Sequence, residues 1–284
     1  LKKVRPVVDG SARTSTGACL NDYLAQAPDH YADLVAVMIK HRLNKYVCAS
    51  DLASAFYSVG VHAHHRDLLR IILPIDFSKP MLPGNYELWR FRDLTMGTSP
   101  SPWILIAVLY FIAHKALEAG FPGLSKNDLQ DLSRSTYVDN ITFGAETKED
   151  LHRMVEGFRA LFAQSHFRLR EFCAVPDSAL RDVPPEDRLA PGDSPFLGIV
   201  WDTLTDNLFL KTPDFPPKDG LDRASLASAA HKVFDPFGWA SPLILRIRLL
   251  LRAAFPGTAP WDSSASEDTQ AAYAAWLRDA IRVS

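Results

Sequence analysis

Two β-rich runs set the terms on which this chain can fold. Lys45–Asp51 ends on a carboxylate, and Ser135–Phe143 is interrupted by Asp139 and Asn140. A strand end fixes a side chain and the turn after it exposes it, so Asp51 stands where chemistry is commonly done. Adjacent polar residues inside an apolar hairpin are costly unless something uses them.

Around these runs the pattern is mixed. Val4–Asp9 reads as a strand, the Ser/Thr/Gly-rich segment to Gly17 as a loop, and Asp29–Arg42 as a helix. Leu69–Ile75 and Tyr86–Phe91 read as strands about a turn holding Pro80, Pro83 and Gly84. Met96–Pro102 is a loop leading into a helix from Trp103 to about Glu118. Thr147–Gln164 has helical periodicity, and its first turn carries Glu149 and Asp150, which the helix dipole favours. Residues 174–195 read as a loop, and Phe196–Trp201 with Leu208–Leu210 as a hairpin. After the Pro-rich linker Pro213–Pro217 come helices near 222–233, 242–255 and 266–282. Mixed elements first and helices alone last predict an α+β domain with an appended helical domain.

A length of 284 residues allows one large unit or two to three subdomains. With 47% hydrophobic and 23% charged residues, extended disorder is excluded over most of the chain. The apolar run Trp103–Ala113 falls far short of the roughly 20 residues that span a bilayer, which predicts a buried helix and no membrane. No secretion signal opens the chain, and the absence of an initial Met suggests a fragment or a processed product. Cys19, Cys48 and Cys173 are too few and scattered for a disulfide framework or zinc site, which fits a reducing, cytoplasmic setting.

The net charge of -2 does not itself point to nucleic acid, but the charge is uneven. Residues 1–50 carry seven Lys/Arg against four Asp, residues 218–255 six against three, and residues 174–216 three against eight Asp/Glu. Basic ends about an acidic middle suit a phosphate backbone, and solvated faces give the same pattern. His62, His64 and His65 read as a solvated loop rather than a metal cluster. Asp9 and Asp235, before Gly10 and Pro236, read as turn residues. The Leu/Arg pattern of Leu245–Arg252 suits equally a helix tracking nucleic acid and one with a wet face.

Asp51 and Asp139, brought together from adjacent strands, can hold one or two Mg²⁺ ions, which take oxygen ligands and leave room for water and phosphate. Two such ions would activate a primer hydroxyl and stabilise leaving pyrophosphate, the two-metal logic of polymerases.

The surrounding residues sharpen this. Ser50–Val59 resembles the first catalytic motif of reverse transcriptases, Tyr137-Val138-Asp139-Asn140 resembles their Tyr-x-Asp-Asp box, and Leu94–Pro102 resembles the Gly-containing loop and Ser-Pro element between them. More narrowly, Arg5–Thr14 with Leu20-Asn21-Asp22, Phe196–Asp202, and Val233–Gly238 before Ser241-Pro242 resemble the Bel/Pao class of LTR retrotransposons. These elements stand in the family's order over nearly the whole chain.

The resemblance implies roles residue by residue. Asp51 and Asp139, with the Leu52 carbonyl, would bind Mg²⁺ or Mn²⁺, and Asn140 would complete the catalytic set. Phe56 would exclude a 2′-hydroxyl. Arg5 and Lys3 would hold the triphosphate. Gly97 would let backbone approach the nucleotide, Tyr137 would support the primer, and Gly198 and Trp201 would belong to a primer-grip-like hairpin. Three departures stand out. Asn140 replaces the second box aspartate, Ala53 and Ser54 replace a charged pair, and Arg170 lies where lysine is common, although arginine does not readily give up a proton.

The fold implied is a right-hand polymerase: fingers at 1–45 and 61–92, a ferredoxin-like palm at 46–60 and 93–212, and a helical thumb or connection at 213–284. The activity implied is RNA-directed DNA polymerisation from dNTPs on a primed RNA or DNA template, within a polyprotein that also carries RNase H and integrase segments and acts in the cytoplasm or in virus-like particles. No Asp-Thr-Gly or Asp-Ser-Gly motif supports a protease. A degenerate, non-catalytic nucleic-acid-binding copy is the alternative that Asn140 favours. An unrelated α+β metal-dependent hydrolase would leave Asp51 and Asp139 far apart.

Overall fold

The computed structural model describes residues 6–25, 32–211, 213–217 and 220–282, and the chain divides into two compact units, 1–188 and 189–284. The division falls inside the 93–212 segment that the sequence reading assigns to the palm.

The first unit is built on a four-stranded sheet. Its strands are β1 (Tyr46–Leu52), β4 (Thr136–Tyr137), β5 (Asn140–Ala145) and β6 (Leu169–Val175), in the order β4-β5-β1-β6 with antiparallel neighbours. A separate two-stranded ribbon pairs β2 (Arg70–Pro74) with β3 (Tyr86–Arg90). The helices are α1 (Leu20–Tyr23), α2 (Leu34–Arg42), α3 (Ser101–Ala119), α4 (Lys126–Leu132) and α5 (Lys148–Gln164).

Sequence accounts for these helices locally. Thr147 caps α5 by accepting the Asp150 amide hydrogen at 3.1 Å. The buried positions of α5, Leu151, Met154, Val155, Phe158, Leu161 and Phe162, recur at helical spacing and pack on the core beneath β1 and β5. Helix α3 is 19 residues long, and by length and composition alone it could cross a membrane. Leu105, Leu109, Ala113 and Ala116 line its buried face, while Phe111, His114, Lys115 and Glu118 are exposed.

Two sequence expectations are corrected here, and two elements are added. Residues 6–9 form no strand, and the Val8 amide instead donates to the Met96 carbonyl at 3.0 Å. β6 and α4 were not foreseen. Phe196–Trp201 is not one strand, because the chain turns at Leu197 and Gly198, both at positive φ.

In the second unit, β7 (Asp193–Phe196), β8 (Ile199–Asp202) and β9 (Asn207–Phe209) form a three-stranded sheet. Helices α6 (Arg223–Lys232), α7 (Ser241–Ala254) and α8 (Glu267–Arg282) pack about Leu226, Ile247, Tyr273 and Trp276. The Trp276 indole donates to the Leu243 carbonyl at 2.8 Å, which satisfies the polar end of a buried ring.

Candidate active site

Asp51 sits in β1 with Asn140 of β5 as its partner on one side and Arg170 of β6 on the other. Asp139 lies in the two-residue turn between β4 and β5, where Val138 takes a φ of 56°. A β-branched residue in the left-handed region is strained, and here that strain accompanies the turn that carries Asp139. The turn is tied back to β1 by the Leu52 amide, which donates to the Asp139 carbonyl at 2.9 Å.

Asp51 and Asp139 line one cavity of about 130 Å³, together with Pro6, Leu52, Phe56, Met96 and Arg170. Phe56 lies in a 3₁₀ turn, Ala55–Ser58, with its ring half buried against the core. Tyr57 fixes the cavity's outer wall by donating to the Pro6 carbonyl at 2.9 Å.

The site is electrostatically divided. Arg170 donates from Nη2 and Nε to Asp51 Oδ2, at 3.0 and 3.2 Å. The pair is only partly shielded, with 20% of the Asp51 side chain and 23% of Arg170 exposed, so Asp51 still faces the cavity. Burial pushes the Asp51 pKa above its ordinary value, the Arg170 hydrogen bond opposes this, and the charge of Asp139 adds to the rise. Asn140 turns its amide nitrogen to Asp139 Oδ1, at 3.1 Å. Among the described residues no three His, Cys, Asp or Glu side chains are grouped as a metal site.

The Asp51 shift has a sign that can be checked. Folding raises the pKa from 3.8, so the native state binds the proton more tightly than the unfolded chain. The stability this group contributes is full below the unfolded value and is lost as pH rises through the higher folded one. Asp51→Asn should therefore be most favourable to stability, relative to the natural chain, near neutral pH. Urea unfolding across pH should show that difference shrinking on acidification, and a difference that grew toward pH 4 would contradict the assignment.

The other expected site residues are placed as follows. Lys3 and Arg5 lie outside the described residues. Tyr137 ends β4, paired with Asn140, and does not line the cavity. Gly97, at a φ of 98°, makes its close approach to Val8: a Cβ there would stand 1.7 Å from the Val8 carbonyl oxygen. In the second unit, Gly198 packs under the Phe234 ring, which a Cβ would meet at 2.7 Å. Trp201 is wholly buried beside Phe196 and donates to Asp206 at 2.9 Å, so its ring shapes the hairpin from within. Asp9 and Asp235 accept backbone amides in turns. The ion pair between Arg170 and Asp51 was not foreseen; its one signal in the sequence is the adjacent pair Arg170-Glu171 inside an apolar run.

These elements make a mixed α+β fold with several sheets and helices. Residues 222–282 match the family described as the Pao retrotransposon-like RNaseH-like domain. Over 98% of its length the chain is similar in structure to the foamy viral protease–reverse transcriptase solved in complex with double-stranded DNA, at 15% identity and a TM-score of 0.59. It spans 41% of that chain, and the likeness is one of fold. No curated protein matches the chain.

Proposed function

We propose that this chain is the RNA-directed DNA polymerase segment of a retrotransposon polyprotein, adding dNTPs to a primer on an RNA or DNA template. The observation that carries the reading is the meeting of Asp51 and Asp139, distant in sequence, in one cavity walled by Phe56.

Magnesium or manganese would be held by Asp51 and Asp139, with Leu52 beside them. The donor set fits one such ion, since Mg²⁺ is commonly held by one or two carboxylates with water and substrate phosphate completing its shell. A second ion is served less well, because Asn140 presents its nitrogen to Asp139 and Arg170 adds positive charge. When bound, the metal supplies charge stabilisation at the reacting phosphate and acidifies the primer hydroxyl. Phe56, which lines the same cavity, would face the sugar of a dNTP. Lys3 and Arg5 would hold its triphosphate. Tyr137 and the hairpin containing Gly198 and Trp201 would position the primer. Exposed Arg248 and Arg252 on α7 offer phosphate contacts that are salt-sensitive and independent of sequence. RNase H and integrase segments would adjoin this one in the full polyprotein, in keeping with the family matched by residues 222–282.

A second reading, a copy that binds nucleic acid without polymerising, is favoured by Asn140 and by the hold of Arg170 on Asp51. Primer extension with Mg²⁺ and Mn²⁺ separates the two. The natural chain should extend a primer, and Asn140→Asp should raise the rate about tenfold, equivalent to ~1.4 kcal/mol of barrier. Nucleic-acid binding with no extension by the natural chain, and extension gained only in Asn140→Asp, would establish the second reading instead.

A further inference from the structure

The ladder between β1 and β6 breaks once. Ala49 pairs with Cys173 and Asp51 with Arg170, so β6 spends one more residue than β1 over this stretch. Because side chains alternate along a strand, an unbroken ladder from Cys173 would set Glu171 beside Asp51. The bulge sets Arg170 there instead, and Glu171 takes the extra position with a φ of 52°. Glutamate does not choose left-handed backbone for itself, and such residues persist where the surroundings hold them.

The bulge leaves one guanidinium within reach of two carboxylates. Arg170 Nη2 is 3.0 Å from Asp51 Oδ2 and 3.3 Å from Glu171 Oε1. Asp51 lines the cavity, whereas Glu171, 44% exposed, is not among the cavity-lining residues. An arginine with Asp51 as its only acceptor would compete with any cation for that carboxylate. An arginine with a second acceptor already in reach can yield without being left unpaired, and leaving it unpaired is the costly outcome for a partly buried charge.

We propose that Glu171 is the acceptor onto which Arg170 shifts when a divalent cation takes Asp51. The relay Asp51–Arg170–Glu171 then keeps Asp51 neutralised before the cation arrives and gives the cation the Asp51 carboxylate at full charge afterwards. Glu171 is thus a positioning residue that acts through Arg170, and the inference rests on the reading of Asp51 as a cation ligand.

The test is Mn²⁺ affinity, read by electron paramagnetic resonance of the free ion, on the full chain. The set is the natural sequence, Glu171→Gln, Arg170→Gln, the double variant and Asp51→Asn, each first shown to be folded by circular dichroism. Glu171→Gln should weaken Mn²⁺ binding about three- to tenfold, a coupling usual for groups in one ion-pair network. Arg170→Gln should tighten binding, and in its background Glu171→Gln should change affinity by less than about twofold. If Arg170→Gln does not fold, Arg170→Lys, which keeps the charge and loses the fork, takes its place. An equal loss from Glu171→Gln in both backgrounds would mean that Glu171 attracts the cation directly, and would overturn the relay, as would a Glu171→Gln affinity equal to that of the natural chain. Mn²⁺ binding that is unaffected by Asp51→Asn, or absent from every variant, would instead remove the reading of Asp51 as a ligand and the relay with it.

Discussion

Gly97→Ala is expected to cost about 3 kcal/mol or more and to release residues 6–10 from the loop beside them, from ~1–2 kcal/mol for an L-residue at this φ and ~1–3 for overpacking. The methyl group would stand 1.7 Å from the Val8 carbonyl oxygen, and the obstacle is backbone, which cannot rotate aside. The contact is also crossed by hydrogen bonds. The Val8 amide donates to the Met96 carbonyl at 3.0 Å, Asn21 Nδ2 donates to the Gly97 carbonyl at 3.3 Å, and the Ser99 amide donates to Asn21 Oδ1 at 3.0 Å. Pro6 and Met96 both line the cavity holding the two carboxylates, so the same change should open its wall. Urea unfolding with hydrogen exchange at the Val8 amide measures both effects. A cost below about 1 kcal/mol with Val8 still protected would show that the segment yields without letting go.

How much of this was legible in the sequence depends on whether a feature is local. β1, β5, α3 and α5 follow from β-rich or apolar runs and from helical periodicity, and the structure places them within a few residues of the reading. β6 was missed because Arg170 and Glu171 sit side by side in it and the bulge breaks the alternation by which strands are recognised. The short helix α4 spans seven residues and offers too few turns for a periodic signal, although Ser125 and Asp128 form a capping box at its start. The strand expected over Tyr86–Phe91 is β3, Tyr86–Arg90, but its alternation does not show that all five of its residues are exposed. The meeting of Asp51 and Asp139 is expected from the resemblance of Ser50–Val59 and Tyr137–Asn140 to reverse-transcriptase motifs, since each aspartate taken alone says little. The hold of Arg170 on Asp51 is not, since it depends on a register across strands far apart in the chain. Gly97 shows a different limit: the need for a glycine was legible, while the backbone that makes it necessary, at Val8, was not.

Asp139→Ala should lower Mg²⁺-dependent primer extension about a thousandfold, or ~4 kcal/mol of transition-state stabilisation, while leaving the first unit folded. The fold should survive because the tie from the turn to β1 runs through the Asp139 carbonyl, which accepts the Leu52 amide at 2.9 Å and is kept in alanine. The activity should not, because the remaining carboxylate is Asp51, whose charge Arg170 already offsets through two hydrogen bonds to one oxygen. A single cavity carboxylate beside a guanidinium has little attraction for a dication, even with Glu171 in reach of Arg170. Binding of primer–template at fixed salt should stay close to that of the natural chain, since the contacts proposed are to phosphate and sugar rather than to the metal. Extension within about tenfold of the natural rate would mean that the metal, if it is used, is held without Asp139. The polymerase reading would then lose the pair of carboxylates on which it stands, and among the described residues no three His, Cys, Asp or Glu side chains are grouped to hold a metal in its place.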